Sequence, residues 1–130
     1  MAVGVLLVTH AGIGHAHRAV AERLLGKLPL IVGVYELDFD AALEVALAQA
    51  GAILRKVDSA DGVLLLTDLY GASPSRVGKE LSLRGSRVRR VAGLSLPMLL
   101  RVLNHAEYDL DELARIAASG GRNGVVVDDG

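Results

Sequence analysis

The residue pattern predicts an α/β domain, a doubly wound and mainly parallel sheet with strands in the order 2-1-3-4. Three observations carry this. Short apolar runs rich in Val and Leu recur at residues 3–10, 30–37 and 63–67, as expected of strands buried on both faces. Stretches with apolar residues three or four apart separate them, so strand and helix alternate and the crossovers are right-handed. The first and third runs both close on a polar residue that carries chemistry, His10 and Asp68.

The chain of 130 residues has room for one core, so a single domain over 1–130 is expected. Folding a chain of this size buries roughly two thirds of its unfolded surface, so it needs no covalent staples. Cysteine is absent, which excludes disulfides, thiolate catalysis and cysteine metal sites and suits a reducing, cytoplasmic setting. The net charge of −1 mixes acids with bases and points neither to nucleic acid nor to an anionic membrane surface. No apolar run reaches the roughly 20 residues of a membrane span. The amino-terminal residues lack the pattern of a signal peptide.

Residues 13–27 read as the first helix, with Ile13, Ala16, Val20 and Leu24 on one face and His15, Arg18 and Glu22 off it. Pro29 ends that pattern, and residues 30–37 form the second strand, with Gly33 its weak point. Asp38 and Asp40 are candidate N-caps for a helix whose stripe is Leu43, Leu47, Ala50, Leu54 and Val57. Asp61-Gly62 turns the chain into the third strand, 63–67. Ser73 at N-cap with Pro74 behind it then starts a helix running to Arg84 and stopping at Gly85. Residues 87–94 form a fourth strand, more polar and so nearer an edge. Ser95-Leu96-Pro97 opens a short helix to Asn104, and Asp109 with Glu112 opens another in capping-box fashion, ended by Gly120-Gly121. The tail 123–127 reads as a short fifth strand at an edge, placed to pair with a second subunit.

Parallel strands leave their carboxyl ends on one rim, where ligands of such sheets bind. Strands one and three are neighbours in this order, about 4.8 Å apart, so His10 and Asp68 come within hydrogen-bonding reach. A carboxylate on one ring nitrogen fixes the tautomer and frees the other as a nucleophile. Gly71 lets backbone approach an anion closely, and the helix start at Ser73 offers free N–H groups to it. His10 is therefore a candidate phosphoryl acceptor that needs neither metal nor cofactor when the donor is already activated. His15 and His17 lie two apart on a helix and make a poor metal pair. His105 reads as a favourable charge at a helix end, and Arg84, Arg87, Arg89 and Arg90 as a solvated edge. Gly12-x-Gly14 is weak support for a dinucleotide site, because His17 stands where a third glycine belongs.

Taken together, the Thr9-His10 strand end, the run Gly62-Val63-Leu64-Leu65-Leu66-Thr67-Asp68-Leu69-Tyr70-Gly71-Ala72-Ser73-Pro74, the run Ala92-Gly93-Leu94-Ser95-Leu96-Pro97-Met98-Leu99 and the final valine strand resemble a known family. It is the enzyme IIA component of the mannose/fructose/sorbose class of the bacterial sugar phosphotransferase system. The resemblance implies that His10 accepts phosphate from the histidine-containing phosphocarrier protein and passes it to an enzyme IIB domain. It implies that Asp68 supports His10, that Thr9, Gly71 and Ser73 line the phosphate, and that Pro97 and Met98 shape the partner surface. It also implies a homodimer whose last strand is exchanged between subunits, running antiparallel to the sheet, and peripheral association with a membrane permease. After the histidine, Ala11-Gly12-Ile13-Gly14-His15 stands where sugar-transporting members often carry glycine and an aromatic. A second reading keeps the same histidine as a switch, its phosphorylation state setting affinity for a regulatory partner.

Overall fold

β1 (Gly4–His10) lies inside the sheet, between β2 (Val32–Leu37) and β3 (Val63–Thr67), and β4 (Val88–Ala92) flanks β3 on the far side. The computed structural model describes residues 2–84 and 87–129. All pairings are parallel, and the order β2-β1-β3-β4 is the one the sequence predicts. β1 and β3 are buried on both faces because each alternate residue meets a helix layer. Val5, Leu7, Leu64 and Leu66 face α1 (Gly14–Leu25), α4 (Leu96–Leu103) and α5 (Leu110–Asn123). Leu6, Val8, Val63 and Leu65 face α2 (Leu43–Val57) and α3 (Ser73–Leu81). Each such fully buried leucine stabilises the fold by roughly 1.5–3 kcal/mol. β4 is the more polar edge strand, its Arg89 and Arg90 exposed.

Several boundaries and faces differ from the sequence reading. α1 buries Gly14 and Ala21 rather than Ala16, Val20 and Leu24, which are exposed. Close approach decides this face. A Cβ on Gly14 would sit 2.7 Å from Val34 Cγ1 and 3.0 Å from Thr9 Oγ1, so only glycine lets the helix start so near the strands. α2 begins at Leu43 with Ala42 as its N-cap, so neither Asp38 nor Asp40 caps it. α3 has Ala72 as N-cap, which shifts Ser73 to the first helical position, and it ends at Leu81. The stop assigned to Gly85 lies outside the described residues. Ser95 and Asp109 do cap α4 and α5, accepting from the N–H groups of Met98 and Glu112. The Glu112 carboxylate pairs with Arg115 at 3.2 Å.

Gly120-Gly121 does not end α5, which runs to Asn123. A Cβ on Gly120 would meet Arg101 Cβ at 2.7 Å, and one on Gly124 would meet Pro97 Cβ at 2.4 Å. These glycines let α5 press against α4. The tail is not a strand in the single chain: the sheet has four strands, and Val125, Val126 and Val127 are exposed. Val125 N–H bonds back to the Arg122 carbonyl, and no sheet pairing reaches the residues beyond it. An extended segment becomes a strand only beside an edge that offers main-chain partners, and its own chain brings none there.

Candidate functional site

β1 and β3 end side by side, with Val8 opposite Thr67, so the next residues of each strand share one rim. There His10 Nδ1 lies 2.7 Å from Asp68 Oδ2, and the His10 backbone N–H donates to the same oxygen at 3.1 Å. A carboxylate only accepts, so the neutral imidazole carries its proton on Nδ1 and its lone pair on Nε2. The His10 side chain is 22% exposed while that of Asp68 is 9% exposed: the acid is enclosed and the imidazole reachable. Asp68 Oδ1 is buried and accepts no hydrogen bond among the described residues. The enclosed carboxylate therefore acts through Oδ2 alone, holding both the backbone and the ring of His10.

The remaining sequence-predicted residues divide. Thr9 is fully buried, its hydroxyl donating to the His10 carbonyl at 2.8 Å and accepting from Gly14 N–H at 2.9 Å. That places Thr9 beneath the rim as the brace of the β1–α1 turn. Gly71 has a φ of +84° with open space where a side chain would be. This left-handed conformation favours glycine and turns the chain into α3. Ser73 opens α3 and, with Arg76, lines a cleft of about 130 Å³ whose wall includes Leu37 and Ala41. The N-cap residue, Ala72, has no side chain able to satisfy the first-turn amides, so that helix end keeps its capacity for an anion. Pro97 is exposed, but Met98 is only 3% exposed and packs in the core beneath α4. The assignment of Met98 to a partner surface is thereby corrected: on α4 it shares the inward face with Leu99 and Val102.

Two of the other histidines are engaged locally. His17 Nδ1 lies 2.9 Å from the Ile13 carbonyl and His105 Nδ1 lies 2.7 Å from that of Arg101. Arg87 and Arg89 share Asp111. Among the described residues no group of three His, Asp or Glu side chains is arranged to hold a metal, and no helix is long and apolar enough to cross a membrane.

Two site residues escaped the sequence reading. Phe39, the chain's one phenylalanine, stacks on the His10 ring at 5.3 Å between centroids. The available signal was a lone aromatic between two acids just past a strand's carboxyl end. Glu36, paired with Thr9 across the sheet, accepts the His15 backbone N–H at 2.9 Å and so caps α1 from a neighbouring strand. Such a cap is invisible to local spacing because it lies 21 residues from its helix.

Desolvation alone would push the Glu36 carboxyl up, but the N–H groups of His15, Gly12 and Gly14 and the nearby His15 ring outweigh it and hold the carboxyl below its ordinary value. A carboxylate depressed in the folded state stabilises above its unfolded value of 4.5 and loses that effect as pH falls through the lower folded one. Glu36→Gln should therefore cost about 0.5–1 kcal/mol at neutral pH, as helix-cap contacts do. It should also flatten the decline in stability below pH 4.5. Denaturant melts of both proteins at pH 7 and in acid check this, and an unchanged acid decline would exclude the cap.

Glu36 also distinguishes the two helix starts on the rim. α1 already holds a carboxylate at its amino end, whereas α3 does not.

Comparison with known proteins gives the family. Residues 4–118 match the EIIA-man family, described as the PTS system fructose IIA component. The chain is 29% identical over 127 residues to the mannose-specific EIIAB component of the PTS from Escherichia coli K12, covering 96% of this chain. It spans only 39% of that relative's length. It is also 29% identical over 104 residues to the sorbose-specific EIIA component of Lacticaseibacillus casei, covering 78% of this chain and 72% of that one. The mannose/sorbose-specific IIA subunit from Enterococcus faecalis superposes with a TM-score of 0.87 at 25% identity, over 99% of this chain and 96% of that one. With a family match spanning nearly the whole sheet and both strand ends of the rim, this chain belongs to the EIIA-man family of phosphotransferase system IIA components.

Proposed function

We propose that this chain is a phosphoryl carrier of a sugar phosphotransferase system, with His10 as the residue that is phosphorylated. The observation that carries the reading is the 2.7 Å contact from His10 Nδ1 to an enclosed carboxylate, with the ring still open to the rim. Nε2 attacks the phosphorus of a phosphohistidine on the histidine-containing phosphocarrier protein. The new N–P bond forms at Nε2 as the donor's N–P bond breaks, and the donor ring leaves with that electron pair. The Nδ1 proton stays in the hydrogen bond to Asp68, whose charge offsets the positive ring. Transfer of this type asks for positioning and charge stabilisation. The uncapped α3 start and Gly71 supply amide hydrogens and close approach. Reversal of the step onto an enzyme IIB domain regenerates His10. The relatives named for mannose and sorbose support a sugar as the final acceptor.

The working unit in this reading is a homodimer. β4 has an open edge beside a groove of about 470 Å³ lined in part by Lys79 and Arg90. The exposed Val125-Val126-Val127 segment, followed by Asp128 and Asp129, has the apolar and acidic character to pair there from a second copy.

Incubation with phosphoenolpyruvate, enzyme I and the phosphocarrier should yield an acid-labile, base-stable phosphohistidine. Nitrogen–phosphorus coupling in NMR spectra should assign it to Nε2 of His10. Label on another residue, or none at all, overturns the proposal.

A further inference from the structure

A hydrogen bond through Nδ1 fixes one atom of the His10 ring, but the ring can still rock about the Nδ1–Oδ2 line. A second contact is needed to set its plane. Phe39 supplies one: the two ring centroids are 5.3 Å apart with 27° between planes. That falls within the 4.5–7 Å range in which aromatic pairs attract. Phe39 has little else to hold it, being 82% exposed in the segment between β2 and α2. The turn beneath it is fixed by the Ala41 N–H bond to the Asp38 carbonyl, 3.1 Å. Leaving a phenylalanine in water forgoes its burial, and the core does not gain from this placement. Its benefit lies at the imidazole.

We infer that Phe39 is a positioning residue: stacked on His10 and acting with Asp68, it sets the imidazole plane so that Nε2 faces the incoming phosphorus. The inference rests on the phosphoryl-carrier reading above. Phe39 exchanges neither proton nor electron in the step. The Nε2–P bond forms as the donor N–P bond breaks, and the Nδ1 proton stays with the Asp68 contact. Small misalignments of a nucleophile are costly in rate, which makes a weak stack useful at this one place.

Phe39→Leu and Phe39→Tyr separate this role from others. Phosphoryl transfer from the labelled phosphocarrier is followed at saturating and at limiting donor. Phe39→Leu should lower the saturated rate about three- to tenfold with little change in KM, in keeping with the strength of one aromatic pair. Phe39→Tyr should restore the rate to within about twofold, because the stack is kept. Nitrogen NMR of the unphosphorylated proteins gives a second readout. With Asp68 in place the His10 ring should stay Nδ1-protonated in all three proteins, but its resonances should be sharp in the parent and in Phe39→Tyr and exchange-broadened in Phe39→Leu. A raised KM with an unchanged saturated rate would make Phe39 a docking contact and overturn the inference, as would unchanged kinetics and ring spectra. If the parent protein takes no label on His10, the carrier reading fails, and the ring spectra still decide whether Phe39 orients the imidazole.

Discussion

His10→Ala should take up no phosphoryl group, and Asp68→Asn should take it up at least about a hundredfold more slowly, with both proteins folded. The first follows from removing the rim imidazole that is braced by an acid and still reachable. The second tests the brace. Asp68 Oδ2 receives both the His10 N–H and the His10 ring, while Oδ1 is buried without a donor among the described residues. An asparagine must choose between two poor arrangements. With its oxygen toward His10 it keeps both hydrogen bonds but puts an amide NH2 where Oδ1 lay, buried with no acceptor. With its nitrogen toward His10 it faces the backbone N–H donor to donor and draws the ring into the other tautomer, taking the lone pair from Nε2. Either way the charge that offsets the phosphorylated ring is lost. Rapid-quench measurement of label transfer separates these outcomes. An Asp68→Asn protein that accepts phosphate at the parent rate would leave Asp68 a mere turn residue.

The fold and the His10–Asp68 contact were legible because both are written in strong, short-range patterns. Apolar runs of strand length alternating with helical stretches point to buried strands of a parallel sheet, and β2-β1-β3-β4 is one of the common doubly wound orders. Once β1 and β3 are neighbours, His10 and Asp68 share one rim within reach of each other, and the structure shows them in contact. What stayed hidden depends on contacts between segments far apart in the chain. The buried face of α1 is chosen by how closely Gly14 approaches Val34, not by which stripe is most apolar. Its cap comes from Glu36 on β2. Thr9 reads as a rim residue by position, yet its hydroxyl is consumed between His10 and Gly14. The valine tail has strand composition but pairs with neither edge of its own sheet, because a strand needs main-chain partners that composition does not supply.

The same distinction between local and distant causes separates two glycines, and yields the largest expected loss of stability. Gly4→Ala should destabilise the protein by about 3 kcal/mol or more, a large share of the stability of a domain this size. The new Cβ would lie 1.9 Å from the Val57 carbonyl oxygen and 2.9 Å from its carbon. These are main-chain atoms of the last residue of α2, so no rotamer change can relieve the clash. Either α2 lifts from the sheet or β1 shifts at its first residue, whose N–H is bonded to the Gly62 carbonyl at 3.0 Å. Gly71→Ala is different in kind. Nothing lies within 4 Å of a Cβ there, so the cost is the left-handed backbone alone, about 1–2 kcal/mol. Denaturant midpoints of the two variants should therefore rank Gly4→Ala well below Gly71→Ala, with label uptake impaired in Gly71→Ala while its fold persists. Equal midpoints would mean that β1 and α2 are free to separate, and that the strand carrying His10 is not anchored by the contact at its opposite end.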